Sequence, residues 1–92
     1  MLRLVAIDLS SADVAAFEAY EAKVLPLVRE HGGRLEMRVR SLDSRSETHL
    51  LYFPDEEAFD RYRLDRRRIA AAPEWEKSGA KSDVKLVERI DF

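Results

Sequence analysis

Two histidines, His31 and His49, are the only side chains in this sequence whose ordinary pKa suits them to move protons near neutral pH. His49 lies in the run ETHLLYF, just after a stretch, RLEMRVR, that alternates charged and apolar residues. That alternation sets Arg34, Glu36, Arg38 and Arg40 on one face of a strand and Leu35, Met37 and Val39 on the other. If the two runs close as a hairpin with Ser41 facing Ser46, Arg40 stands opposite Glu47, Arg38 opposite His49 and Glu36 opposite Leu51. A slip of one residue would instead put His49, Leu51 and Phe53 on the face of Val39, Met37 and Leu35. In the first register His49 can act as a general acid or base. Arg38 or Arg40 then stabilises an enolate or carboxylate, Glu36 and Arg40 contact a ligand, and Tyr52 or Trp75 shapes the pocket. Such a set suits isomerisation or oxygenation of a small acidic or cyclic molecule. The same residues also admit a purely structural reading, with Arg38, Arg40, Glu36 and Glu47 as cross-strand ion pairs, His49 as a satisfied core or interface residue, and Trp75 and Tyr20 as packing anchors.

Other chemistries lack the residues they need. There is no Cys, Asn or Gln. With two histidines, neither His49 beside Glu36 nor His31 beside a carboxylate reaches the ligand count of an all-protein zinc site, so no metal is expected. The serines fall at helix starts and turns without a recognisable His partner. Gly32 and Gly33 follow a helix rather than precede one, so they make no phosphate loop and no cofactor is implied.

The elements that would position these residues can be read in order. Residues 2 to 9 are apolar on both faces, which marks a central strand. Ser10 or Ser11 offers an N-cap with Asp13 in the capping-box position, and a helix follows with its stripe at Val14, Phe17, Tyr20, Val24, Leu27 and Val28. Pro26 predicts a kink or restart near Lys23 to Leu25. His31 closes the last turn, where a cation is favoured, and Gly32 suits the left-handed position beyond it. Strands at 33–41 and 47–53 come next, the second apolar on both faces. Asp55 caps another helix, whose buried stripe is Ala58, Phe59 and Tyr62. The five arginines Arg61, Arg63, Arg66, Arg67 and Arg68 are interleaved with Asp60 and Asp65, so they read as solvated surface rather than a nucleic-acid patch. Residues 69–72 continue as a short helix to Pro73, PEWEKSGAKS reads as irregular, and 84–92 forms the last strand.

Strand, helix, strand, strand, helix, strand is the order of a four-stranded antiparallel sheet with both helices on one face, the ferredoxin-like plait, with the first and third strands central. The 92 residues make one domain, 1–92, with a modest core. The uncovered sheet face predicts a homodimer. At 46% hydrophobic and 37% charged the chain is too apolar for disorder and too charged for a membrane span. No apolar run approaches the roughly 18 residues of a spanning helix. The first nine residues lack a secretory signal, and the expected location is cytoplasmic. A net charge of −2 gives no field that would recruit nucleic acid or an anionic membrane.

The phrases YEAKVLPLVREHGGRL and ETHLLYFPDEEAFDRYR, followed by a Trp-containing segment before a last strand, resemble the dimeric α/β-barrel superfamily. The likeness is greatest to its small single-domain members related to antibiotic-biosynthesis monooxygenases. The resemblance implies two ferredoxin-like sheets packed face to face, with a cavity beneath the helices or inside the barrel. It does not imply one activity, because relatives include cofactor-free monooxygenases, haem-degrading enzymes and lactone isomerases. The haem-degrading branch uses an Asn, Trp and His set that a chain without Asn cannot supply. The same absence separates this sequence from oxygenases that orient substrate through Asn. Two functions therefore remain: a small dimeric enzyme of monooxygenase or isomerase type, or a non-catalytic dimer that binds a metabolite or another protein.

Overall fold

The computed structural model describes all residues from Met1 to Phe92. β1 spans Leu2–Asp8, α1 Val14–Glu30, β2 Arg34–Arg40, β3 Ser46–Tyr52, α2 Glu56–Arg63, α3 Arg66–Ser78 and β4 Lys81–Val87. The strands form one antiparallel sheet in the order β2-β3-β1-β4. This is the ferredoxin-like α+β architecture, and the two strands that are apolar on both faces are the central ones. No helix is long and apolar enough to cross a membrane.

Side chains two apart share a face, so the register sorts the sheet into two surfaces. Leu4, Leu50 and Met37 line up on the open face, beside the row Ala6, Thr48 and Val39. Met37 and Val39 keep 39% and 51% of their surface exposed, so this face is apolar and uncovered in the single chain. On the other face Val5, His49 and Arg38 form one row, and Ile7, Glu47 and Arg40 the next. The helices cover this second face. Leu27, Val28, Leu51, Phe53, Ala58 and Tyr62 make one part of the core, and Ile7, Leu9, Phe17 and Ala80 another.

Four local expectations are corrected. Asp13, not Ser10 or Ser11, caps α1: its Oδ1 accepts from the Ala16 N–H at 3.1 Å, while the Ser10 N–H is taken up by Asp8. α1 runs unbroken through Pro26, because Val24, Leu27 and Val28 on either side of it are locked in the core and one lost hydrogen bond is outweighed. The segment expected to be irregular is helical as far as Ser78: α3 starts at its cap Asp65 and continues through Pro73, burying Ala71 and setting Trp75 against Tyr20 at 5.3 Å. β4 is Lys81–Val87 rather than 84–92, since its partner β1 begins at Leu2, opposite Val87, and leaves nothing for later residues to pair with.

At the helix-to-hairpin junction His31 is the C-cap residue of α1, as expected, and Gly32 takes a left-handed φ of 79°. The His31 ring also reaches Asp65 at 2.8 Å, tying the end of α1 to the start of α3. Gly33 is packed so closely that a Cβ there would lie 2.7 Å from the Tyr52 carbonyl oxygen.

Candidate functional site

The hairpin closes in the first of the two registers: the Ser41 N–H donates to the Ser46 carbonyl at 2.9 Å, with Arg40 opposite Glu47 and Arg38 opposite His49. Glu36 departs from it. A bulge between Leu35 and Met37 puts Leu35, not Glu36, opposite Leu51. The two alternating runs by themselves leave open which face of the sheet the helices cover. Beyond the bulge, Arg38 and Arg40 of β2 are on the helix side of the sheet, so His49 lies with Arg38 and beneath the helices at once.

Glu47 is the hub of this corner and is only 2% exposed. Its Oε1 accepts from Arg40 Nε at 2.7 Å, and its Oε2 from Arg38 Nε at 2.9 Å and from His49 Nε2 at 2.6 Å. Glu18 on α1 adds a second carboxylate to both arginines. Burial alone would raise the Glu47 pKa, but the bonds from His49, Arg38 and Arg40 more than offset it and hold the carboxyl below its ordinary range. An ionised carboxylate can only accept, so His49 must donate from Nε2, and the lone pair of the neutral ring then belongs to Nδ1. Burial lowers the His49 pKa, against the pull of Glu47, so the ring is neutral at pH 7. Nδ1 has no hydrogen-bond partner in the protein. The geometry leaves His49 oriented as a base by a carboxylate.

His49 forms part of the wall of a cavity of about 260 Å³ between the sheet and the helices. Tyr20, Phe59, Tyr62 and Trp75 supply aromatic walls, and Val5, Val24 and Leu51 aliphatic ones. Two charged side chains that the sequence did not single out also border it, Glu21 and Arg68. Glu21 sits on the inner face of α1, is 5% exposed and has no hydrogen-bond partner in the protein. Burial, reinforced by Glu47 and opposed by Arg38 and Arg68, pushes its carboxyl up to about 7. Arg68 is the one member of the arginine run that turns inward. Its guanidinium lies 5.0 Å over the Tyr62 ring, and its buried Nε has no partner. A signal for Glu21 was present, because it follows Tyr20 and precedes Val24 by three on the buried stripe. Arg68 gave none, since its orientation is set by the break at Leu64 and Asp65 where α3 starts anew.

The other residues expected to line a pocket fall in different places. Trp75 is in the cavity wall. Tyr52 lies on the open sheet face, where the Arg34 guanidinium stacks 4.2 Å above its ring. Glu36 borders a surface groove between α1 and β2, with Arg34, Arg38 and another side of Glu21, and pairs with Arg34 at 3.2 Å. Arg38 and Arg40 are engaged with Glu47 and do not border the cavity. No group of three His, Asp or Glu side chains is arranged to hold a metal ion.

No protein-family model matches the chain, and no curated protein matches it. Solved structures do. SnoaB from Streptomyces nogalater, a cofactor-independent oxygenase, superposes with a TM-score of 0.78 at 17% identity, covering 99% of this chain and 94% of that one. An antibiotic biosynthesis monooxygenase superposes at 0.66 with 14% identity, over 99% of this chain and 100% of that one. An uncharacterized NIPSNAP domain protein from Burkholderia xenovorans reaches 0.66 with 14% identity, over 96% and 95%. At these identities the likeness establishes the fold, in agreement with the superfamily resemblance read from the sequence.

Proposed function

We propose that this protein is a small-molecule enzyme of monooxygenase or isomerase type, whose reaction begins when His49 removes a proton from a ligand held in the cavity. The observation that carries the reading is the pairing of a pinned Nε2 with an unpartnered Nδ1 on a mostly apolar wall. Arg38 and Arg40 act through Glu47: they keep it ionised, and it keeps His49 in the productive tautomer. The aromatic walls suit a flat or cyclic ligand, and the volume is below the range of drug-sized sites, so the ligand is compact. Arg68 offers a charge to the anion that proton removal would create. That SnoaB is a cofactor-independent oxygenase supports the monooxygenase branch of this reading. The working unit in this proposal is a homodimer joined through the open sheet face, where Met37, Val39, Leu4 and Leu50 present apolar surface.

The ring opening of 5-nitrobenzisoxazole tests the base directly, because the C–H proton passes to the base as the N–O bond breaks and a coloured phenolate is released. Wild-type protein is expected to accelerate it over buffer, and His49→Ala to lose about 10²-fold of that rate while staying folded by circular dichroism. A His49→Ala protein as fast as the wild type would overturn the reading. A wild type that binds the probe, seen by Trp75 fluorescence, without accelerating its opening would assign the cavity to a non-catalytic binding protein.

A further inference from the structure

We infer that Glu21 is a second catalytic group of this cavity, a proton donor facing the base, and that the reaction is therefore the enolisation of a compact carbonyl compound with an acidic neighbouring C–H. The inference rests on the reading of the cavity as an acid–base site and narrows it to a proton shift. His49 enters from the sheet layer on β3 and Glu21 from the helix layer on α1, and both border the same mostly apolar space. A buried carboxyl without a protein hydrogen bond is costly unless it is kept protonated, and a protonated carboxyl has an O–H to give. Arg68 borders the same space, where its guanidinium charge can act on a developing oxyanion.

The step balances without an oxidant. The C–H bond breaks and its proton goes to His49 Nδ1. The electron pair moves through the new C=C bond to the carbonyl oxygen, and that oxygen takes the Glu21 proton to give the enol. The imidazolium then returns a proton to the Glu21 carboxylate through solvent, or the reverse sequence delivers it to a different carbon and completes an isomerisation.

The groups that bear on Glu21 are Arg38 from β2, His49 and Glu47 from β3, Tyr62 from α2, Arg68 from α3 and Tyr20 from its own helix. With its carboxyl pushed up to about 7, Glu21 is a donor at pH 6 and has lost most of its proton by pH 8.

The test compares two probes on the intact protein at pH 6. Ring opening of 5-nitrobenzisoxazole needs only a base, whereas exchange of the α protons of 2-tetralone in D2O, followed by proton NMR, needs a base and a donor. Glu21→Gln is expected to slow exchange about 10²-fold and at least tenfold more than it slows ring opening, and His49→Ala to slow both. Exchange in wild type is expected to decline from pH 6 to pH 8 relative to ring opening. Glu21→Gln with exchange unchanged overturns the inference and leaves the assignment of His49 standing. His49→Ala with both rates unchanged, and exchange lost only in Glu21→Gln, overturns the assignment of His49 and keeps the donor. A carboxyl carbon resonance of Glu21 that titrates in the ordinary range near 4.5 in the ligand-free protein overturns the inference regardless of either rate.

Discussion

If Glu21 is held protonated by burial, replacing it with Gln should make the protein more stable, and by an amount that depends on pH. Gln matches the neutral acid in shape and cannot ionise. The folded pKa of about 7 lies above the unfolded value of 4.5. A raised carboxyl binds more protons folded than unfolded between those values, so the wild type loses stability as pH rises from about 4.5 through about 7. Integrating a single titration gives a wild-type penalty relative to Glu21→Gln of roughly 1 kcal/mol at pH 5 and roughly 3 kcal/mol at pH 8. Urea unfolding of both proteins at both pH values measures this, and the comparison cancels every other titrating group. With an m value of about 1 kcal/mol/M, the variant's midpoint should exceed that of the wild type by about 2 M more at pH 8 than at pH 5. An equal difference at the two pH values would refute the claim that burial shifts this carboxyl. A variant less stable than wild type at pH 8 would show instead that Glu21 is ionised and paired in the fold.

Glu47→Gln should destabilise the fold by about 2 kcal/mol at pH 7, read from thermal or urea unfolding. The buried partner of two arginines and a histidine is lost, but Arg38 and Arg40 are about a third exposed and keep Glu18. Because the folded Glu47 pKa is lowered, that stabilisation is present above about 4.5 and is lost as pH falls below it, so the two proteins should converge in acid. Leu50→Asp places a charge at the centre of the open sheet face, opposite Leu4 and Met37. It should convert a dimer to a monomer in sedimentation velocity while leaving the fold intact by circular dichroism, and a monomeric wild type would refute the proposed dimer.

The fold was legible because its cues are local. Double-sided apolar strands at 2–9 and 47–53 can only be central, and Asp55 and Gly32 mark helix ends by side-chain and backbone chemistry that needs no tertiary context. Helix extent was less legible: proline removes one hydrogen bond, but the burial of Leu27 and Ala71 beyond Pro26 and near Pro73 is a long-range gain that no local window contains. His49 was legible as a candidate base, and its pairing with Arg38 followed from period two and the turn at Ser41 and Ser46. What the alternation could not say was which face of β2 the helices would cover, because a strand with a charged side and an apolar side fits a helix-covered face only if the charges find partners. Glu47 and Glu18 are those partners, and they free the apolar side for the open face. Glu21 and Arg68 entered the site for the same reason. Periodicity assigns a residue to a face of its own element, and only the packing of α1 and α3 over the sheet decides that these two charges border one cavity with His49.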